Sequence, residues 1–458
     1  MRTAWTSKGL VGVAAAALAT GAFVGAARAQ GAPTAAPAVA PTVPAAPVPP
    51  EAEPINDSEG YTPPVEGAGA PSPLSIDGYV DVGFAKAQGN GTSFAPGDQS
   101  IPADYGVDTF APAVNSRGDV ASTNSNGRFV NGFLPRSVGI GGNASFLLNT
   151  LDVDLKYTPG ALPLMVFSRV QLLPRFTGSG DDTRVYVEQA FGRLVPFESQ
   201  ELAISVGKFD SVFGIEYLDN EANIRTGVTP SLVARYTTGQ SIGAKLFYRV
   251  QIESLQSAVS LNVAATNSGN FVESLQPPDA SLTGTPVASG RLGYELNTRG
   301  VQAKLGASGL IGPRNDQPLE AAHQKVFGFD ARVAVAGVYL NAEYVHVDEE
   351  EGGPKTTSLG NFPISSAFWA RGGYVQLAYA LPFSIGALRK LTVYGRYDRR
   401  HAWFQGFTPI TVDRFTGGLR LDLWEALILK AEYLDNRELA GAPTVANNVF
   451  TSSLVYSW

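Results

Sequence analysis

From Leu74 to Trp458, apolar residues return at every second position in one segment after another, and this period constrains the fold more than anything else in the chain. "LSIDGYVDVGFA", "LDVDLKYTP", "ELAISVGKF", "SIGAKLFYRV", "KVFGFDARVAV", "RKLTVYGRYDRR" and "LILKAEYLDN" all carry it. Successive side chains of a strand point to opposite faces, so a period of two makes strands with one apolar face. The second face is charged in places: Arg414, Thr416, Gly418, Arg420 and Asp422 alternate with Phe415, Gly417, Leu419, Leu421 and Leu423. A soluble sandwich would turn the apolar face inward. A membrane barrel inverts this, with lipid on the apolar face and water within. Periodicity alone leaves both open.

Connection lengths favour the barrel. Sixteen strands are predicted, from 75–85 at the start to 448–458 at the end, within a range of 12 to 18. The links between them alternate: long at 86–145, 210–240, 267–288 and 348–366, short at 195–200, 252–255, Ala336 and Trp424-Glu425-Ala426. Membrane barrels alternate short periplasmic turns with long external loops. The expected fold is therefore an all-β, transmembrane antiparallel barrel of about sixteen strands over 74–458. Both of its termini are expected on the periplasmic side of an outer membrane.

The residues ahead of the barrel agree with export. Arg2 and Lys8 precede the apolar run "GLVGVAAAALATGAFVGA", and Ala27-Arg28-Ala29 supplies a small-residue cleavage site. Residues 1–29 thus read as a signal peptide, and 30–73, with proline every few positions, as a disordered Pro/Ala-rich linker. No later stretch offers the roughly 20 consecutive apolar residues of a membrane helix. The chain has no cysteine, which excludes disulfides and thiolate metal sites. Without Arg2, Lys8 and Arg28, the 34 basic residues fall to 31 against 41 acids, a net charge of −10 that disfavours nucleic acid as a partner.

Aromatic residues mark the expected interfaces. Tyr157, Phe197, Tyr379, Phe383, Trp424, Tyr456 and Trp458 fall near predicted periplasmic strand ends, and Trp369, Trp403, Phe404 and Phe407 near external ones. Amphipathic rings are favoured at the headgroup level. On the last strand, Phe450, Leu454, Tyr456 and Trp458 share the apolar face. This ending resembles the C-terminal signal through which outer-membrane barrels are recognised by their assembly machinery. The stretch Val185 to Gly227 is similar to the central motif of the β-barrel porin family described as OmpL-like. It carries Glu188-Gln189-Ala190, Gly207-Lys208-Phe209, Phe213-Gly214-x-Glu216, and Asn220 with Asn223. The resemblance covers about a tenth of the chain and implies an outer-membrane, porin-like channel.

Candidate functional residues follow from facing. Lys156, Arg169, Lys245, Arg249, Lys304, Arg332, Arg396, Asp398, Arg400, Arg414, Arg420 and Lys430 are expected to line the pore. With Asp152, Asp154, Glu188, Asp330, Glu343, Asp422 and Glu432 they give eleven basic against eight acidic groups, a weak leaning toward anions. Segment 210–240 is the candidate constriction, with Asp210, Glu216, Asp219, Glu221, Arg225 and Arg235 setting acids early and arginines late. A surface loop is the alternative for it.

An enzyme is not expected. "GIGGNA" at 139–144 has dinucleotide-motif spacing, but a strand follows it where that motif needs a helix. His346 and Asp348 share one strand face and are a minor candidate for a general base. Asp348 to Glu351 could meet lipopolysaccharide through bridging cations, against the commoner reading of a solvated acidic loop. No cofactor and no metal is called for. The expected partners are outer-membrane lipid, lipopolysaccharide and the assembly machinery. A homo-oligomer is compatible with the pattern, although no apolar stripe marks a subunit interface. A non-conducting structural or adhesive barrel remains the alternative function, ahead of a secreted β-sandwich protein or a barrel hydrolase.

Overall fold

In a computed structural model, sixteen strands close into one antiparallel barrel. The structure describes residues 73–87, 122–123, 129–130, 144–159, 162–172, 185–197, 201–219, 221–267, 285–298, 300–313, 322–351, 358–359, 362–363, 367–404, 409–439 and 448–458. The strands are β1 (Leu74–Ala87), β2 (Ala144–Tyr157), β3 (Leu164–Leu172), β4 (Val185–Leu194), β5 (Leu202–Asp210), β6 (Gln240–Ile252), β7 (Ser257–Thr266) and β8 (Val287–Thr298). They continue with β9 (Val301–Pro313), β10 (His323–Val335), β11 (Val338–Glu349), β12 (Phe368–Leu381), β13 (Leu388–Phe404), β14 (Ile410–Leu423), β15 (Leu427–Glu438) and β16 (Val449–Ser457). Each pairs with its chain neighbours, and β1 pairs with β16 from Tyr79↔Ser457 to Ala87↔Val449, which closes the sheet and leaves no edge. The sixteen predicted strands match these to within a few residues. The expected signal peptide, linker and most of 86–145 lie outside the described residues.

The two faces are sorted as a membrane requires. On β16, Phe450, Leu454 and Tyr456 are exposed on the outside, while Val449, Thr451, Ser453 and Val455 are buried within. On β13, Val393 faces out between the buried Thr392 and Tyr394, and Arg396, Asp398 and Arg400 continue the inner row. Arg400 and Arg414 are 1% and 0% exposed, whereas Leu377 on the outer face is 55% exposed. Covering a large apolar side chain is worth roughly 1.5–3 kcal/mol, and the outer face leaves dozens uncovered, among them Val206, Leu292, Leu305, Phe329 and Val375. A lipid core covers such a surface. The fold is a transmembrane barrel with charged rows such as Arg396, Asp398 and Arg400 inside.

The barrel's two termini share one end with the tight turns. Gln256, Ala336 and Trp424 adopt left-handed φ near +50° in three of these turns. The same end carries exposed rings at Tyr157, Phe197, Tyr379, Phe383, Trp424, Tyr456 and Trp458. Closure is tight there: Trp458 and Gly78 exchange backbone hydrogen bonds of 3.1 and 3.3 Å. A Cβ at Gly78 would fall 2.6 Å from the Trp458 ring and 2.3 Å from the Asp152 carbonyl. The long connections leave from the other end, where Trp369 and Trp403 stack at 6.4 Å across β12 and β13. Phe407 lies outside the described residues.

Candidate functional site: a loop folded across the lumen

Residues 211–239, between β5 and β6, run inside the barrel. Their sequence supplies both a core and a turn chemistry: Val212, Phe213, Ile215, Val228, Val233 and Tyr236 are buried, and Phe213 and Tyr236 join the wall residues Val326, Val345, Phe368 and Ala402 in one apolar cluster. A 3₁₀ turn at Glu216–Asp219 and a helical turn at Ala234–Thr237 punctuate the path. Both are too short to leave a period in the sequence. Gly214 takes φ +72°, and a Cβ there would sit 1.7 Å from Glu343 Oε1, so any other residue is strained here and must displace the Glu343 carboxylate. Glu216 ties the two limbs together, accepting from the Ser231 amide at 2.6 Å and from its hydroxyl. Burial pushes the Glu216 carboxyl up from its ordinary range, against a lowering by Arg396.

The wall then holds the loop's backbone on both sides. Lys430 donates to the carbonyls of Ala222, Arg225 (2.6 Å) and Gly227 (3.1 Å). Arg420 donates to those of Asn223, Ile224 and Arg225 at 2.8–3.0 Å. Arg396 reaches the carbonyls of Thr229 and Pro230 at 2.8 and 2.7 Å, and Arg332 that of Ile215 at 3.0 Å. In the other sense, loop amides donate to wall carboxylates: Val228 and Thr229 to Glu432 at 2.9 Å, Leu232 to Asp398 at 3.1 Å and Glu216 to Glu343 at 3.2 Å. Across the lumen, Tyr79 of β1 donates to Glu221 at 2.6 Å and Arg169 of β3 pairs with it at 2.5 Å. The loop thus touches β9–β15 on one side and β1 and β3 on the other. Hydrogen bonds to charged groups contribute about 1.5–3 kcal/mol each where they replace a desolvated alternative.

All twelve expected pore-lining side chains point inward. Lys245, Lys304, Arg332, Arg396, Asp398, Arg400, Arg414 and Lys430 are buried, and Lys156, Arg169, Arg249 and Arg420 half-buried. What the sequence did not reveal is that the cationic row on β13–β15 is engaged by the loop instead of standing open to solvent. Arg400 supports Tyr236 at 3.0 Å and Arg414 donates to Asn436 at 2.8 Å. Elsewhere the cations pair across strands: Arg169 with Asp154 (2.6 Å), Arg249 with Glu295 (2.9 Å), Arg291 with Asp330 (2.6 Å) and Lys304 with Glu295 (3.6 Å).

The six charged residues of 210–240 separate into different roles. Asp210 ends β5 and accepts from Gln189 at 2.5 Å and Gln240 at 3.0 Å. Asp219 pairs with Arg332 at 2.6 Å, and Glu216 and Glu221 are bound as above. Of these acids, Asp219 and Glu221 are thus paired with wall arginines, while Asp210 and Glu216 accept from neutral donors. Arg225 differs: it is buried, and none of its three guanidinium nitrogens has a hydrogen-bond partner among the described residues. Burial lowers its pKa, opposed by Tyr79, Glu216, Glu432 and Glu221 nearby. Arg235 lies in the helical turn, and its side chain is outside the described residues, as is all of Asn220.

Two other clusters bear on chemistry. His346 and Asp348 project from the outer face of β11, with His346 stacked on Phe327 at 4.8 Å, so they do not belong to the lumen. Asp152, Glu188 and Glu221 bring one carboxylate oxygen each within 4.8 Å of one another, a spacing that could hold a metal ion. They already accept from Thr150, Gln171, Gln240 and Tyr79, and Arg169 pairs with Glu221.

No protein-family model matches the chain, so the OmpL-like resemblance rests on its motif residues. No curated protein matches it either. Among solved structures, the outer-membrane channel DcaP of Acinetobacter baumannii aligns with a TM-score of 0.48 and 10% identity, over 84% of this chain and 97% of that one. The anion-selective porin from Comamonas acidovorans aligns at 0.44 and 10%, over 84% and 99%. A loop-deletion mutant of OmpT, an outer membrane protein of Vibrio cholerae, aligns at 0.46 and 11%, over 84% and 99%.

Proposed function

We propose that the protein is an outer-membrane channel in which small polar solutes or ions diffuse through a lumen narrowed by residues 211–239. The observation that carries this reading is the loop itself, which enters a charged barrel interior and is bound there by wall cations and carboxylates. A sixteen-stranded barrel is wide enough for an aqueous path, and a polar constriction is what lets such a path discriminate between solutes. No step alters the solute. The tight-turn end with both barrel termini faces the periplasm, and the long connections face outward. The apolar outer face of β16, with Phe450, Leu454, Tyr456 and Trp458, is the feature offered to the assembly machinery.

Selectivity leans weakly to anions. Most lumen cations are engaged by loop carbonyls or carboxylates, so the field along the path rests on few charges, among them Arg225, which is buried near Glu216, Glu432 and Glu221 without a hydrogen bond to any described residue. The test is the reversal potential across planar bilayers under a salt gradient. The wild type is expected to favour chloride slightly, and Arg225→Gln to abolish that preference. Equal reversal potentials would remove the anion assignment. Complete absence of conductance would instead favour a non-conducting structural barrel, the reading that the number of loop-to-wall bonds also supports.

A further inference from the structure

The outer face of the barrel carries a second arrangement, at the end where the long connections leave. Cross-strand register sets Phe327, His346, Arg371, His401 and Thr411 side by side on β10–β14. One row nearer the rim come Lys325, Asp348, Trp369 and Trp403. Rows of this kind form a continuous surface because directly opposed side chains lie about 5 Å apart.

Arg371 stands at the centre of this surface, exposed. Its guanidinium lies 5.4 Å from the centre of the Trp369 ring, which fixes it by a cation–π contact. Trp369 in turn contacts His401 at 4.9 Å and Trp403 at 6.4 Å, and His401 is tied to Thr411 at 2.8 Å. Neighbouring outward cations have carboxylates: Arg399 pairs with Asp413 (2.7 Å), Arg437 with Asp435 (2.6 Å), and His323 and Lys325 with Glu350 (3.0 and 3.8 Å). Arg371 has none within ion-pair distance among the described residues. Asp348, one row nearer the rim, stands between Lys325 and Trp369 in the register.

Height on the barrel says what such a charge would meet. Arg371 is eight residues along β12 from Tyr379 of the opposite aromatic girdle, and Trp369 is ten. At about 3.4 Å per residue and a tilt of about 40°, these are rises of roughly 21 and 26 Å. An outward apolar band is about 25 Å tall. The free guanidinium therefore sits where acyl chains give way to headgroups.

We propose that Arg371, with Trp369, His346 and His401 around it, is a binding site for the phosphate of a phosphorylated lipid headgroup in the leaflet at the loop end. The planar guanidinium fork matches phosphate oxygens, the imidazoles add donors at its sides, and the tryptophans and Phe327 hold the acyl boundary. In the acidic run at 348–351, Glu350 pairs with His323 and Lys325.

The refolded full-length protein tests this in neutral-detergent micelles by native mass spectrometry, with bisphosphorylated lipid A and its fully dephosphorylated form as probes. The wild type is expected to retain the phosphorylated lipid at least tenfold more strongly than the dephosphorylated one. Arg371→Gln should lose that difference and Arg371→Lys keep part of it. Arg389→Gln, which breaks the ion pair with Glu425 at the other rim, should behave as wild type. Heat-modifiable migration on gels reports that each variant is folded, and the Lys variant keeps the test alive if the Gln variant is not. Equal retention of both lipids by the wild type, or no change in Arg371→Gln, overturns the site. Displacement of the lipid by millimolar inorganic phosphate would show a free-anion site and overturn the lipid assignment. Channel conductance is unaffected by any of these outcomes, so the site and the channel reading fail separately.

Discussion

Gly214 shows how much of the lumen rests on single residues. Its φ of +72° strains any side chain, and the 1.7 Å approach of Glu343 makes a Cβ displace that carboxylate, so Gly214→Ala should destabilise the packed loop by about 1–3 kcal/mol, the usual cost of backbone strain. Limited proteolysis should then cleave within 211–239 faster than in the wild type while the barrel stays folded. Arg396 is the second such residue: it pairs with Asp398 at 2.9 Å and donates to two loop carbonyls. Removing one partner of a buried pair costs about 3–5 kcal/mol. Arg396→Gln is therefore expected to release the loop and raise conductance, where a cation merely lining the path would change selectivity alone. The inward facing of Arg396 was legible in the alternation with Val393, Gly395 and Tyr397. Its partners were not, since Thr229 and Pro230 lie more than 160 positions away and period-two patterning carries no information about contacts between a loop and a distant strand.

At the scale of elements, the sixteen strands were readable because each repeats one simple rule over nine or more residues. The loop obeys no period. Its length and charged residues suggested an inward path, but the choice between lumen and surface needed the fold. The residues of the 185–227 stretch have physical sense here: Gly207 takes φ +136° with the Ala190 carbonyl 2.2 Å from where a Cβ would be, and Glu188 accepts from Gln171 and Gln240. The closing pair β1–β16 makes its own prediction. Gly78→Val would collide with both Trp458 and Asp152, so it should prevent closure and abolish heat-modifiable migration. Trp458→Ala leaves the backbone pairing in place and should lower the unfolding temperature without abolishing migration.

The whole molecule combines a barrel whose outside only lipid can cover with an inside that is charged and crossed by its own chain. That combination was half visible in the sequence: apolar alternation, aromatic girdles and an even strand count all point to the membrane. The degree to which the lumen's charges satisfy one another was hidden, because salt bridges such as Arg291–Asp330 and Arg332–Asp219 join positions 39 and 113 residues apart. In the function proposed above, residues 211–239 set the width of a conducting path. Single-channel recording in planar bilayers tests it most directly, comparing the wild type with a variant in which 217–230 is replaced by a short Gly/Ser link. Small discrete steps in the wild type and steps several-fold larger in the variant are the predicted result. Steps of equal size in the two, or none in either, would contradict it.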